Sequence, residues 1–303
     1  MQTRLRYTAL AAVVLAVWGQ SASALNISFD YSYDSSGFFA DAARRSTLQQ
    51  AGNYIGSRLS DNLSAITSSG GNQFTASFSN PTTGAVASIT SYNVVANTLV
   101  IFVGGQNLGG ALGQAGPGGY ASSGTQAFID TVAARGQLGA LSAVPTDFGP
   151  WGGSMSFNNT GTNWYFDSDV NTVETFTGYD FFSVAVHELG HVLGAGTADS
   201  GLRYLSGTNF VGPNAMAAYG GGPVPLNASL DHWADAVTST VNGLSQEAAM
   251  TPAIGAGTRK YFTDLDFAAA KDIGWQVTPV PVPAAFWLLI SGVMGLVAVS
   301  RRK

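Results

Sequence analysis

The 303-residue chain contains no cysteine and only three histidines, His187, His191 and His232. Without thiols there is no disulfide staple and no thiolate metal site, so any bound metal must be held by His, Asp or Glu. Charge is scarce as well: Asp, Glu, Lys and Arg make up 10% of the residues, against 46% hydrophobic ones. Setting aside Arg4, Arg6, Arg301, Arg302 and Lys303 at the two ends, eight of the 13 basic residues remain against 18 acidic ones, a net charge of about −10. A surface of that sign repels phosphate backbones, which argues against nucleic acid as a partner. Internal repeats are lacking, and no Gly-Lys-Ser or Gly-Lys-Thr sequence accompanies the glycines to make a phosphate cradle. Glycine itself is abundant, with 38 residues, in the manner of exported surface proteins.

The two ends read as targeting segments rather than parts of the fold. Residues 1–24 carry Arg4 and Arg6, an apolar run from Ala9 to Trp18, and Ala22-Ser23-Ala24, the layout of a secretory signal peptide cleaved after Ala24. Residues 279–303 hold an uncharged run from Ala284 to Ser300, at the lower limit for a transmembrane helix, followed by Arg301, Arg302 and Lys303. Taken alone this is a stop-transfer anchor. Together, Val280-Pro281-Val282-Pro283-Ala284-Ala285, the apolar run and the basic cluster resemble the PEP-CTERM family of sorting tails. That resemblance implies export in a Gram-negative bacterium, transient anchoring in the inner membrane, and release to the cell surface or extracellular matrix by an exosortase-type processing enzyme. Between the ends lies one domain, residues 25–278.

Within it, "LNISFDYSYD" alternates apolar and polar residues and predicts a first strand. Leu48, Ala51, Ile55, Leu59 and Leu63 recur at steps of three and four, predicting a helix over roughly 37–63. Two β-rich runs follow, "AVASITSYNVV" and "NTLVIFVGG"; then a glycine-rich stretch, 108–124, predicts a flexible connection. A short helix is expected over 125–134, and short strands near 154–158 and 164–167. Asp180 can cap a helix with the body "FFSVAVHELGHVL", which Gly194 stops. Strand, long helix, strands and a second helix make an α+β order.

That second helix carries the chemistry. His187 and His191 fall one turn apart on one face, with Cβ atoms about 5–6 Å apart, so both imidazoles can reach one zinc ion. Glu188 sits beside them, placed to act as general base toward a zinc-activated water. This resembles the HExxH arrangement of metalloproteases, and chance places such a triplet in only about 3 of 10,000 chains of this composition. A catalytic zinc needs a third protein ligand and an open position. In the compact metzincin pattern HExxHxxGxxH, Gly194 is in place but Thr197 stands where the third His belongs. The remaining histidine, His232, is the third ligand by parsimony; Glu247, in the manner of the gluzincins, is the alternative, and Asp199, Asp231 and Asp235 come next. Asp231 is placed to orient a zinc histidine. Asp167, Asp169, Asp264 and Asp266 are acids of the type that binds calcium, without EF-hand spacing.

His232-Trp233, followed by Glu247, Met250, Thr251 and Pro252, resembles leishmanolysin, the metzincin whose third zinc histidine is displaced by an insertion and precedes a Trp. "LDFAAAKDIGW" resembles a later helix of that family, and "GGSMSF" resembles the metzincin edge strand that holds peptide by β-augmentation. The resemblance covers roughly 151–275. It implies a metzincin-like zinc protease domain, a twisted mixed sheet with an active-site helix and a mostly irregular and helical C-terminal subdomain. It also implies a methionine turn at Met250 beneath the metal, and a protein or peptide substrate hydrolysed with Zn2+ held by His187, His191 and His232 and Glu188 as general base. Departures are the absence of cysteine, a shorter insertion between His191 and His232, and one extra residue between Glu247 and Met250. A non-catalytic surface or biofilm protein with a structural or vestigial zinc site is the alternative, against which stands Glu188, a base that structural zinc does not need.

Overall fold

The computed structural model describes residues 24–172 and 174–278. The expected leader (Ala24 apart) and the sorting tail lie outside the described residues, and among those described no helix is long and apolar enough to cross a membrane.

The alternating run forms the first strand, β1 (Asn26–Asp30). Asp41 then caps α1 (Ala42–Gly56), its carboxylate accepting from Ala43 N. This helix is shorter at both ends than the expected 37–63. At its end Gly56 approaches the Leu25 carbonyl so closely that a Cβ would sit 2.3 Å from that oxygen, and the chain turns away. Leu59 and Leu63 are still fully buried, but from non-helical chain, Leu59 bridging to Val277. Their spacing continues the helical period without continuing the helix.

The β-rich runs supply β3 (Val86–Ile89) and β4 (Thr98–Gln106), preceded by β2 (Gln73–Ser79), which the sequence reading omitted. The stretch expected to be a flexible connection instead holds β5 (Gly113–Pro117) and β6 (Gly119–Ser123). Glycine there permits close packing: a Cβ on Gly118 would lie 2.1 Å from the Trp151 ring. Helix α2 (Gln126–Ala134) follows, capped by Thr125, then β7 (Gly152–Asn158), the short pair β8 (Trp164–Tyr165) and β9 (Tyr179–Asp180), and α3 (Phe181–Val192). Beyond α3 come α4 (Asp199–Leu202), β10 (Leu205–Ser206), β11 (Asn209–Phe210), α5 (Pro213–Ala218), β12 (Val224–Pro225), the hairpin β13 (Thr238–Val241) and β14 (Leu244–Glu247), and α6 (Asp264–Ile273).

The main sheet runs β1-β4-β7-β5, with the first three strands parallel and β5 antiparallel at the edge. A small antiparallel sheet, β3-β2-β6, leans on it. The α+β expectation stands at this level. The expected edge strand does not: "GGSMSF" lies in β7, buried along its whole length and paired on both sides. The resemblance places this segment at the edge, yet β5 pairs along it and takes that place. Along β4 the pleat splits the core by period two, with Ile101 and Val103 facing the larger cluster with α1 and α3, and Phe102 the smaller one around Phe74 and Trp151.

Both ends of the described chain are held by one segment. Leu25 N donates to Gly56 O and Leu59 O, each at 3.1 Å, while Ser60 N donates to Gln276 O and Thr278 N to Arg58 O, each at 2.9 Å. Asp61, 2% exposed, accepts from Gln276 N, and burial pushes its carboxyl up to about 6 from 3.8. A folded value above the unfolded one means that stability is fully present below about pH 4 and is lost as pH rises through 6. Asp61→Asn keeps the shape and removes the charge, so it should gain on the order of 2 kcal/mol over the native chain at pH 8. Thermal melts should show the two proteins converging near pH 4.

Candidate metal centre

Helix α3 is apolar on nearly every side apart from its histidines and Glu188, as a helix sandwiched between a sheet and a second layer must be. Its start is fixed by charge. Asp180 caps it, accepting from Ser183 N, and is gripped by Arg259, whose Nε and Nη2 donate to Asp180 Oδ2 and Oδ1 at 3.0 and 2.9 Å. Arg259 Nη1 donates to Asp167 at 2.7 Å, so one half-buried guanidinium neutralises two buried carboxylates. The far end stops at Gly194, which adopts the left-handed φ of +100°.

The chain from α3 then travels through α4, α5 and the short strands before returning with His232. The three imidazoles converge: His187 Nε2 lies 3.1 Å from His232 Nε2 and 3.2 Å from His191 Nε2, and the last pair is 3.1 Å apart. Each ring is aimed from behind. His187 Nδ1 bonds Ala249 O at 2.7 Å, His191 Nδ1 bonds Ala195 O at 3.0 Å, and His232 Nδ1 bonds Asp231 Oδ1 at 2.8 Å. With each Nδ1 bound to an oxygen acceptor, the ring protons sit there and all three Nε2 lone pairs face the common point. Burial, then the neighbouring His191, brings His187 down to about 3, and burial lowers His191, so both rings are neutral, the form that binds metal. Among the described residues this triad is the only group of three or more such side chains close enough to hold a metal ion.

Glu188 is 4% exposed, and burial pushes its carboxyl up to about 8. It lines a cleft of about 590 Å³ together with the three histidines, Thr197 and the segment 251–254. Across the cleft runs β5. Asn158 N donates to Leu112 O and Gly118 N to Gly152 O, so the even-numbered residues of that segment bond to β7. The amides and carbonyls of Gly113 and Ala115 therefore point outward along the cleft.

The floor is built by Met250 and Asp266. Met250 packs so closely under α3 that a Cβ on Gly190 would lie 2.3 Å from its sulfur. Asp266, 1% exposed, accepts from Trp233 Nε1 at 2.8 Å, Ala249 N at 2.9 Å, Met250 N at 3.3 Å and Thr263 N at 2.8 Å. Trp233 and Trp275 are core residues; Trp275 Nε1 ties to Leu193 O at 2.7 Å.

Other sequence candidates are occupied elsewhere. Glu247 pairs with Lys260 at 2.9 Å, and against partial burial that ammonium holds it below the usual carboxylate range. Lys260 also donates to Thr251 Oγ1 and Ala253 O, bracing the cleft wall. Thr197, at the compact-motif position, donates to His191 O. Asp231 is the orienting acid; against its partial burial, bonds from His232 and Asn227 bring it down. The calcium candidates do not converge: Asp167 and Asp266 are engaged as above, Asp169 caps its own turn, and Asp264 accepts from Thr240. Unanticipated were the carbonyls of Ala249 and Ala195, which no side chain advertises, and the roles of Arg259 and Lys260.

No known protein family, curated protein or solved structure matches this chain. The chemistry of the site stands on its own geometry.

His232→Ala should abolish or strongly weaken metal binding, because two imidazoles cannot close the coordination sphere, whereas Glu247→Ala should leave it intact. Metal analysis of the purified variants, reading ions per chain, checks both; loss of metal on the Glu247 change alone would reassign the third ligand.

Proposed function

We propose that the protein is an exported zinc-dependent metalloendopeptidase. The observation that carries this reading is the convergence of three imidazoles beside a buried carboxylate at the base of an open cleft. Three nitrogens at these separations share a point about 2 Å from each, with angles of about 100° between them, which suits tetrahedral zinc. A set of three histidines also leaves one position for water or substrate, as catalytic zinc sites do and structural ones do not. Zinc held there supplies a Lewis acid that polarises the scissile carbonyl and makes water a nucleophile near neutral pH.

The chain's own groups supply the rest. Glu188 accepts the proton of the attacking water and returns it to the leaving amine nitrogen. The charge of a divalent cation beside it offsets the burial that otherwise keeps its carboxyl protonated. The outward amides and carbonyls of Gly113 and Ala115 can take an extended peptide as an added strand, with Pro117 ending the ladder because it has no N–H. The leishmanolysin-like residues His232-Trp233 and Met250 fit this reading: one is a ligand followed by a core tryptophan, the other packs under the metal helix.

Glu188→Gln keeps all three imidazoles and removes the base. Its zinc content should stay at the native level while casein hydrolysis falls by several orders of magnitude; a variant digesting casein at near the native rate would sink the mechanism. Export and tail removal rest on residues 1–24 and 279–303. Intact-mass analysis of protein secreted by its native host should show a chain that lacks Arg301–Lys303; an intact C-terminus would contradict release by an exosortase.

A further inference from the structure

Gly113 sits on β5 with its missing side chain aimed at Glu188. A Cβ built there would lie 2.4 Å from Glu188 Oε1 and 2.8 Å from both Cδ and Cγ, and no backbone atom is among these three nearest contacts. The backbone of residue 113 therefore rests directly on the carboxylate that the proposed mechanism uses. The Glu188 carboxylate makes no hydrogen bond to another described side chain or amide, whereas each of the three imidazoles is held by one. Nothing but packing holds its carboxylate in place, and Gly113 is the strand residue that packs against it.

We infer that Gly113 is a positioning residue: its lack of a side chain sets where the Glu188 carboxylate stands in the cleft. The inference rests on the metallopeptidase reading for its effect on rate, but the contact itself does not. Because the atoms in the way are the far end of a flexible side chain, a methyl at 113 is accommodated by moving that carboxylate, not by moving β5. Relief from 2.4 Å to ordinary van der Waals contact needs a shift of about 1 Å, and a misplacement of that size in a catalytic group costs about 10²-fold in rate. The metal ligands are untouched by this displacement.

The experiment is a double-mutant cycle on the zinc-loaded, full-length mature protein, with melting of its metal-free form as a second readout. Gly113→Ala should bind zinc at native stoichiometry and lower kcat about 10²-fold. In a Glu188→Gln background the same change should lower the residual rate no further, since both act through one group. Native kcat in Gly113→Ala, or an equal loss in both backgrounds, overturns the inference. If Gly113→Ala melts early or fails to fold, Glu188→Ala added to it should restore the melting temperature by opening room for the methyl. A double variant as unstable as Gly113→Ala alone places the clash elsewhere and also overturns it. Should the native protein cleave no peptide, the reading of function fails while the melting comparison still decides the contact.

Discussion

One buried carboxylate, that of Asp266, holds together two parts of the chain that must meet for the three imidazoles to converge. It accepts from the indole of Trp233, the residue after His232, and from the amides of Ala249 and Met250. Ala249 in turn offers the carbonyl that aims His187. Thus a single acid at the start of α6 ties the histidine-bearing loop to the turn beneath α3. Its burial pushes the carboxyl up, and the donors around it work in the opposite direction. Leaving those donors without their acceptor costs their full desolvation, which is why such groups are replaced as a set or not at all.

The start of α3 is governed by the same economy of charge. In a chain with so few ionised residues, Arg259 serves Asp180 and Asp167 at once, and Lys260, next in sequence, braces the cleft wall through Thr251, Ala253 and Glu247. Two adjacent cations therefore position the start of α3 and the wall opposite β5. Asp180 and Asp167 are buried, and leaving such carboxylates without their cation typically costs about 3–5 kcal/mol. The candidate metal site is braced by hydrogen bonds from behind and at both ends of its helix, and is open toward the cleft.

Much of this centre was legible in the sequence because its first part is local. His187, Glu188, His191, the Asp180 cap and the Gly194 stop all belong to one helix, where spacing alone fixes which residues share a face. His232 was found through scarcity, being the one histidine left. The partners that aim the rings were mostly not legible: Ala249 and Ala195 act through backbone carbonyls, and only Asp231 carries a side chain suggestive of its role. The edge strand failed for a different reason. Glycine reads as flexibility in a sequence, whereas 108–124 uses it for close packing against Trp151 and neighbouring strands. The alternation of Phe74, Ala76 and Phe78 carries a period-two signal of the same kind as β1, so β2 was present in the pattern though not read from it. The helical period through Leu59 and Leu63 misled because a buried stretch of irregular chain can keep the spacing by accident.

The strip at 56–60, to which both Leu25 and the segment 276–278 are bonded, has a mechanical meaning. Load applied at either described end of the domain is carried in part by these few backbone hydrogen bonds. Tension drawn between the two ends is shared by this strip, by the pairing of β1 with β4, and by the bond from Trp275 to Leu193 at the end of α3. Because the two described ends share the strip, loosening either one would weaken the hold on the other.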